Sequence, residues 1–182
     1  MNILASKAQL RASLLRWSLF LIPLILLLGY ISSQFGSADT AWFQSLNKPA
    51  IFPPPAAFGI VWAILWVMIG FSLALVASAW GAYGREIALG AFALHFIGTL
   101  AWTPVFFGMQ EMQAALFVLA YVVVSLIAVI FLFWKVRKTA AMLLMPYLAW
   151  TAFAAVLNYQ FIGENPDGGA AEQNGAAVEV TL

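Results

Sequence analysis

Residues 101–108 read Ala101-Trp102-Thr103-Pro104-Val105-Phe106-Phe107-Gly108 and close an apolar run that starts near Ile87. At 1.5 Å per helical residue, a run of this length reaches across a bilayer core of about 30 Å. A tryptophan, a hydroxyl, a proline and two phenylalanines fall together there, although leucine and valine would serve for lipid contact. The mixture predicts a turn of the chain at a membrane boundary, an aromatic-lined pocket, or both.

Working outward, the 182 residues are 64% apolar and 8% charged. A soluble domain carries about 45–50% apolar and about 25% charged residues. No soluble fold of this size hides so much apolar surface, so an integral membrane protein is predicted. Apolar runs fall at about 17–35, 58–80, 87–107, 114–134 and 140–162. Helices satisfy every backbone group inside the segment, and the alternating segments of a barrel are absent. The fold class is therefore all-α, a bundle of five transmembrane helices over residues 17–162. Residues 1–16 form a basic extension, and residues 163–182 read as a disordered acidic tail. The basic start, apolar core and Gly36-Ser37-Ala38 also match a cleavable signal peptide, although the run is longer than a usual signal core. There is no cysteine, which excludes disulfides and thiolate chemistry.

With five helices, Lys7, Arg11, Arg16, Arg85, Lys135, Arg137 and Lys138 share one side, seven of the eight basic residues. Lys48 falls on the other side with Asp39, Glu111, Glu164, Asp167, Glu172 and Glu179. The positive-inside rule places the N-terminus inside and the tail outside, as in a bacterial cell membrane. No charge sits deep in a span, which argues against pumps, voltage sensors and ion-coupled carriers. No paired carboxylates, P-loop or zinc spacing is present, so no catalytic or metal-ligating residue is assigned and no cofactor is required.

Aromatic and weakly polar residues carry what function remains. Ala91, His95, Thr99 and Thr103 share a helix face, with Trp102 and Phe106 close to it. His95 is either interhelical glue, a pocket donor, or an axial contact to a tetrapyrrole. Trp150, Ala154 and Asn158 follow Pro146 at intervals of four and form a notch or a packed contact; Pro146 should loosen the first turns of its helix. Trp62 and Trp66 share a face near a boundary, as pocket wall or interfacial belt. Gly70, Ala74 and Ser78, and likewise Gly29 and Ser33, are small-residue pairs suited to close packing within or between subunits. The loop from Trp42 to Pro55 holds four prolines among apolar residues, which suggests a stiff cover lying on the bundle.

Leu46-Asn47-Lys48-Pro49 with Pro53-Pro54, Phe58-x-x-Val61-Trp62-x-x-Leu65, Trp102 to Gly108, Phe133-Trp134-Lys135-Val136 and Pro146-Tyr147-Leu148-Ala149-Trp150 through Asn158-Tyr159 occur in order. On these motifs the chain resembles the TspO/translocator protein family. The resemblance implies a five-helix bundle, a homodimer, and a pocket opening toward the first loop. It implies binding of porphyrins or haem intermediates by Trp62, Trp102, Phe106, Trp150, Ala154 and Asn158, under a lid with Pro49 and Pro53. His95 and Thr99 are added from their shared face, and Lys48 is placed to meet a propionate at the mouth. Partners are then the tetrapyrrole, the lipid bilayer and a second copy, with no nucleic acid.

Three readings of function follow. The first is a tetrapyrrole-binding sensor, regulator or transporter. The second is a light-dependent porphyrin-degrading enzyme, and the third is a ligand-free structural subunit. Thr99 stands where the family usually has asparagine, and His95 where some relatives carry glutamine. Gln110-Glu111 replace expected basic residues, and no basic residue follows Tyr159 to complete a cholesterol motif. These departures imply a changed polar end of the pocket.

Overall fold

The computed structural model describes residues 6–168. Among them, five helices are long and apolar enough to cross a membrane. α1 is Lys7–Ser33, and α2 is the short Ala41–Ser45 in the first loop. α3 is Pro55–Ala77, and α4 is Arg85–Thr103, continued by a π-helical turn, Pro104–Gly108. α5 is Met112–Val136, α6 is Lys138–Leu143 and α7 is Met145–Glu164; α6 and α7 together make the fifth span.

Several boundaries differ from the expected ones for local reasons. α1 starts ten residues before its apolar run because Ser6 and Gln9 form a capping box, each side chain bonding the other's backbone N–H. Residues 163–168, expected in the tail, complete α7 and then turn back under the first loop; the rest of the tail, 169–182, lies outside the described residues. Pro146 breaks its span as expected. Leu144 turns its N–H back to Ala141 and Met142, which separates α6 from α7. The carbonyl of Ala140, left over at that break, accepts from Ser72 on α3 at 2.7 Å.

Helices in a bilayer gain little from burying apolar surface against each other, so close packing and hydrogen bonds hold them. A Cβ on Gly70 would lie 2.8 Å from the Ile22 backbone, so α3 presses on α1 at this point. The Gly70, Ala74, Ser78 stripe is thus spent inside one subunit. Gly98 of α4 lies under the ring of Tyr121, whose hydroxyl donates to Leu94 at 2.9 Å. Arg85 caps α3 by donating twice to the Ala77 carbonyl, at 3.1 and 2.8 Å.

The buried side chains form two clusters. One runs through α1, α3, α4, α5 and α7 and includes Ile69, Phe92, Leu126, Phe133 and Tyr147. The other gathers at the loop end around Trp42, Phe43, Phe106, Met112 and Phe161. The candidate site lies where they meet.

Gly70→Ala should lower the unfolding free energy by about 1–3 kcal/mol, because the added methyl meets backbone and cannot be absorbed by a side-chain swing. Reversible unfolding of micelle-embedded protein by SDS measures this; an unchanged midpoint would show that α1 and α3 are free to separate.

Candidate functional site

A cavity of about 240 Å³ lies between α1, α3, α4, α5 and α7. Trp62 and Trp66, one turn apart on α3, stack with ring centroids 4.8 Å apart and form one wall. Trp102 of α4 and Trp150 and Ala154 of α7 form others. Gly29 of α1 makes room for this arrangement, since a Cβ there would lie 2.7 Å from the Trp66 ring. α5 contributes Leu119 and Val122. No wall residue is charged.

The cavity opens sideways. Ser33 and Gly59 line it and are also exposed, and a Cβ on Gly59 would meet nothing within 4 Å. The mouth therefore lies between the adjoining ends of α1 and α3. This differs from the opening toward the first loop that the family likeness implies. At that end Phe43 and Phe52 of the loop interlock with Phe106, Phe107 and Phe161, leaving a void of only about 40 Å³. Apolar loop residues at a membrane boundary gain more from covering the bundle than from facing water.

The loop is also tied by hydrogen bonds. Asn47 and Asn165 exchange two, from the Asn47 N–H at 2.8 Å and back to its carbonyl at 3.0 Å. Trp42 donates its indole N–H to Gly168 at 3.0 Å.

The expected site residues divide. Trp62, Thr99, Trp102, Trp150 and Ala154 line the cavity. Phe106 and Asn158 line the small void at the loop end, which Trp102 and Ala154 also touch. Phe106 stacks on Trp102 at 5.2 Å. Asn158 accepts from the Trp102 indole at 3.3 Å and donates to the Met112 carbonyl at 2.9 Å, so it ties α4, α5 and α7 together and is not a free anchor.

Lys48 does not reach the mouth. Its ammonium donates to the carbonyls of Phe43, Gln44 and Leu46 at the end of α2, and desolvation there lowers its pKa from the usual lysine value. Pro49 is buried and Pro53 half-buried, and neither lines the cavity; Phe43 and Phe52 do the covering.

His95 is fully buried and lies behind the cavity wall. Its Nδ1 is 2.8 Å from Ser125 Oγ, and its Nε2 is 3.1 Å from the Tyr147 hydroxyl. That hydroxyl is 2.7 Å from Thr99 Oγ1. The order of donors follows from one end. Ser125 donates its single proton to the Tyr121 carbonyl at 2.7 Å, so it can only accept from His95. His95 then carries its proton on Nδ1 and accepts at Nε2 from Tyr147. Tyr147 in turn accepts from Thr99. The chain runs Thr99 to Tyr147 to His95 to Ser125, and every proton in it has an acceptor. His95 is thus interhelical glue between α4, α5 and α7.

Reading the sequence left out Ser32, Thr151, Leu119, Val122, Tyr147 and Ser125, and left Trp66 open between wall and belt. Thr151 adjoins Trp150, and Ser32 adjoins the Gly29–Ser33 pair, so proximity was a usable signal for these two. Leu119 and Val122 carry none, because leucine and valine recur all along α5.

A multi-pass α-helical membrane protein with an uncharged, tryptophan-walled cavity open at its side is the class that fold and site define. The profile of the TspO/MBR family matches residues 20–163, and the chain belongs to that family. It is 34% identical over 147 residues to the Tryptophan-rich protein TspO of Chlorobaculum tepidum, covering 80% of this chain and 93% of that one. It is 34% identical over 141 residues to the Translocator protein of Ovis aries, covering 75% and 83%. It is 36% identical over 119 residues to the Tryptophan-rich sensory protein of Cereibacter sphaeroides, covering 65% and 73%.

The donor order makes a spectroscopic prediction. Nitrogen-15 spectra of the imidazole should show His95 protonated at Nδ1 and hydrogen-bonded at an unprotonated Nε2. Tyr147→Phe should shift the Nε2 resonance and leave the tautomer in place; a proton on Nε2 in the parent protein would refute the chain.

Proposed function

We propose that the protein is a membrane sensor or carrier that takes a flat, apolar ligand of the tetrapyrrole class into this cavity. The observation that carries the reading is the open-sided cavity walled by four tryptophans, Trp62, Trp66, Trp102 and Trp150. A collapsed interior would have favoured a structural subunit with no ligand. Indole faces stack on flat conjugated rings. The relatives' names, sensory protein and translocator protein, fit a role in detecting or moving such a molecule.

The geometry supports a particular pose. The cavity is smaller than the roughly 300–1,000 Å³ of sites that enclose drug-sized ligands. A macrocycle therefore seats one edge among the tryptophans and leaves the rest in the mouth between α1 and α3. Carboxylates buried against this uncharged wall would carry a large desolvation cost. The propionate edge accordingly stays outside, at the membrane surface. Pairing of two copies belongs to the same reading on family likeness alone, and the inside placement of the N-terminus rests on the division of basic residues.

Titration with protoporphyrin should quench the tryptophan fluorescence saturably, and the Trp62→Ala/Trp150→Ala double variant should lose most of that affinity. Quenching that survives unchanged in the double variant would sink the pocket assignment. Gly59→Leu should slow association severalfold in stopped-flow mixing while leaving thermal stability as it was, because open space surrounds that position. Association at the parent rate would mean that entry does not use the side mouth.

A further inference from the structure

The cavity wall carries five hydroxyls, four of which have already spent their proton, together with the indole N–H groups of Trp62 and Trp66, which have no acceptor among the described residues. Ser32 donates to the Leu100 carbonyl at 2.7 Å, Ser33 to Tyr30 at 2.7 Å, and Thr151 to Tyr147 at 3.0 Å. A carbonyl has no proton, so the direction of these three bonds is fixed. Thr99 donates to the Tyr147 hydroxyl at 2.7 Å, in the order set by His95 and Ser125. Thr103 is the wall hydroxyl with no protein partner among the described residues and takes either role. A hydroxyl has one proton and two lone pairs. Ser32, Ser33, Thr99 and Thr151 therefore have only acceptor capacity left for an occupant. The Trp150 N–H is fully buried without an acceptor and reaches no occupant.

We infer that the cavity selects a neutral flat molecule carrying an N–H or O–H donor, read by Thr99, Thr151 and Ser32 as acceptors. The inference rests on the proposed reading of the cavity as a ligand site. A ligand donor buried there finds a lone pair and avoids the cost of an unpaired polar group in an apolar enclosure. At these three hydroxyls a ligand that only accepts sets lone pair against lone pair, and a carboxylate does so with a full charge and no cation on the wall. His95 is a positioning residue. By accepting from Tyr147 at Nε2 it turns that hydroxyl to receive the Thr99 proton, and so keeps Thr99 an acceptor.

Carbazole and dibenzofuran test this, being flat tricycles of one shape that differ in an N–H donor against a ring oxygen. Each is titrated into the full chain in lipid nanodiscs, with protoporphyrin as reference. Carbazole should bind about tenfold more tightly, the size of one hydrogen bond. That preference should shrink severalfold in Thr99→Val and in Thr151→Val, with dibenzofuran affinity and the thermal midpoint reporting whether each variant stays folded. His95→Phe should erode the carbazole preference and spare dibenzofuran binding.

Equal affinities overturn the inference. A preference for dibenzofuran overturns it too and assigns the reading to the N–H groups of Trp62 and Trp66. A carbazole preference that persists in both valine variants overturns the residue assignment. Binding of protoporphyrin with neither tricycle also overturns it but leaves the proposed function standing, whereas binding of none of the three removes both.

Discussion

The carbonyl of Leu100 has no regular helical donor, because Pro104 stands four residues on and carries no N–H. In water a solvent molecule would fill the gap. Inside a bilayer only the protein can, and an unmet carbonyl costs several kcal/mol in roughly the terms that confine membrane spans to helices and barrels. Ser32 of α1 supplies the proton at 2.7 Å. That bond ties α1 to α4 where the two otherwise touch little, and it places Ser32, with Gly29 and Ser33 beside it, on the cavity wall. The same proline lets α4 widen into the π turn Pro104–Gly108, which carries Phe106 over the cavity end and onto Trp102. Local widening of this kind recurs at functional positions in helices.

The loop end shows how the rest of the chain accommodates that turn. Gly108 meets the Phe35 carbonyl, and Gly36 meets Phe107; a Cβ at either position would come within 2.6 Å of its neighbour. The first loop can thus lie directly on the π turn, and Phe43 and Phe52 fill what remains. A cover held by an aromatic interlock, by the Asn47–Asn165 exchange and by the Lys48 cap on α2 is a wall, not a hinge. With that end closed, the opening that is left lies beside Ser33 and Gly59, between the adjoining ends of α1 and α3.

Much of this was legible before any coordinates. Hydropathy alone marks five spans, because each is an unbroken run of bilayer length, and Pro146 announces its break because no context restores its missing N–H. The faces holding Trp62, Trp102, Trp150 and Ala154 follow from helical periodicity. What periodicity does not carry is which faces meet. His95 and Asn158 share faces with cavity residues, yet both are absorbed into interhelical bonds whose other halves, Ser125, Tyr147 and Met112, lie on distant segments. Lys48 looked free because its partners are backbone carbonyls, which a sequence does not distinguish. α5 is mostly leucine, valine and other apolar residues, so Leu119 and Val122 do not stand out from their neighbours. The capping box at Ser6 lies ahead of the apolar run, so hydropathy does not mark the start of α1.

The character of the wall follows from the helices that build it. A serine or threonine in a membrane helix has a carbonyl of its own preceding turn within reach and no water to compete for its proton. It therefore donates locally, as Ser33 and Thr151 do, or to a carbonyl that a proline has released, as Ser32 does. A hydroxyl that donates in this way has only lone pairs left to offer. Thr99 departs from this pattern, because its proton runs across to another helix and its direction depends on His95, two groups along the hydrogen-bonded chain. Replacing an amide by Thr99 and His95 exchanges a side chain with donors of its own for a hydroxyl whose donor is committed. On the proposed reading, the departure from the family motif at Thr99 changes what the cavity offers a ligand, and it adds no charge to the membrane interior.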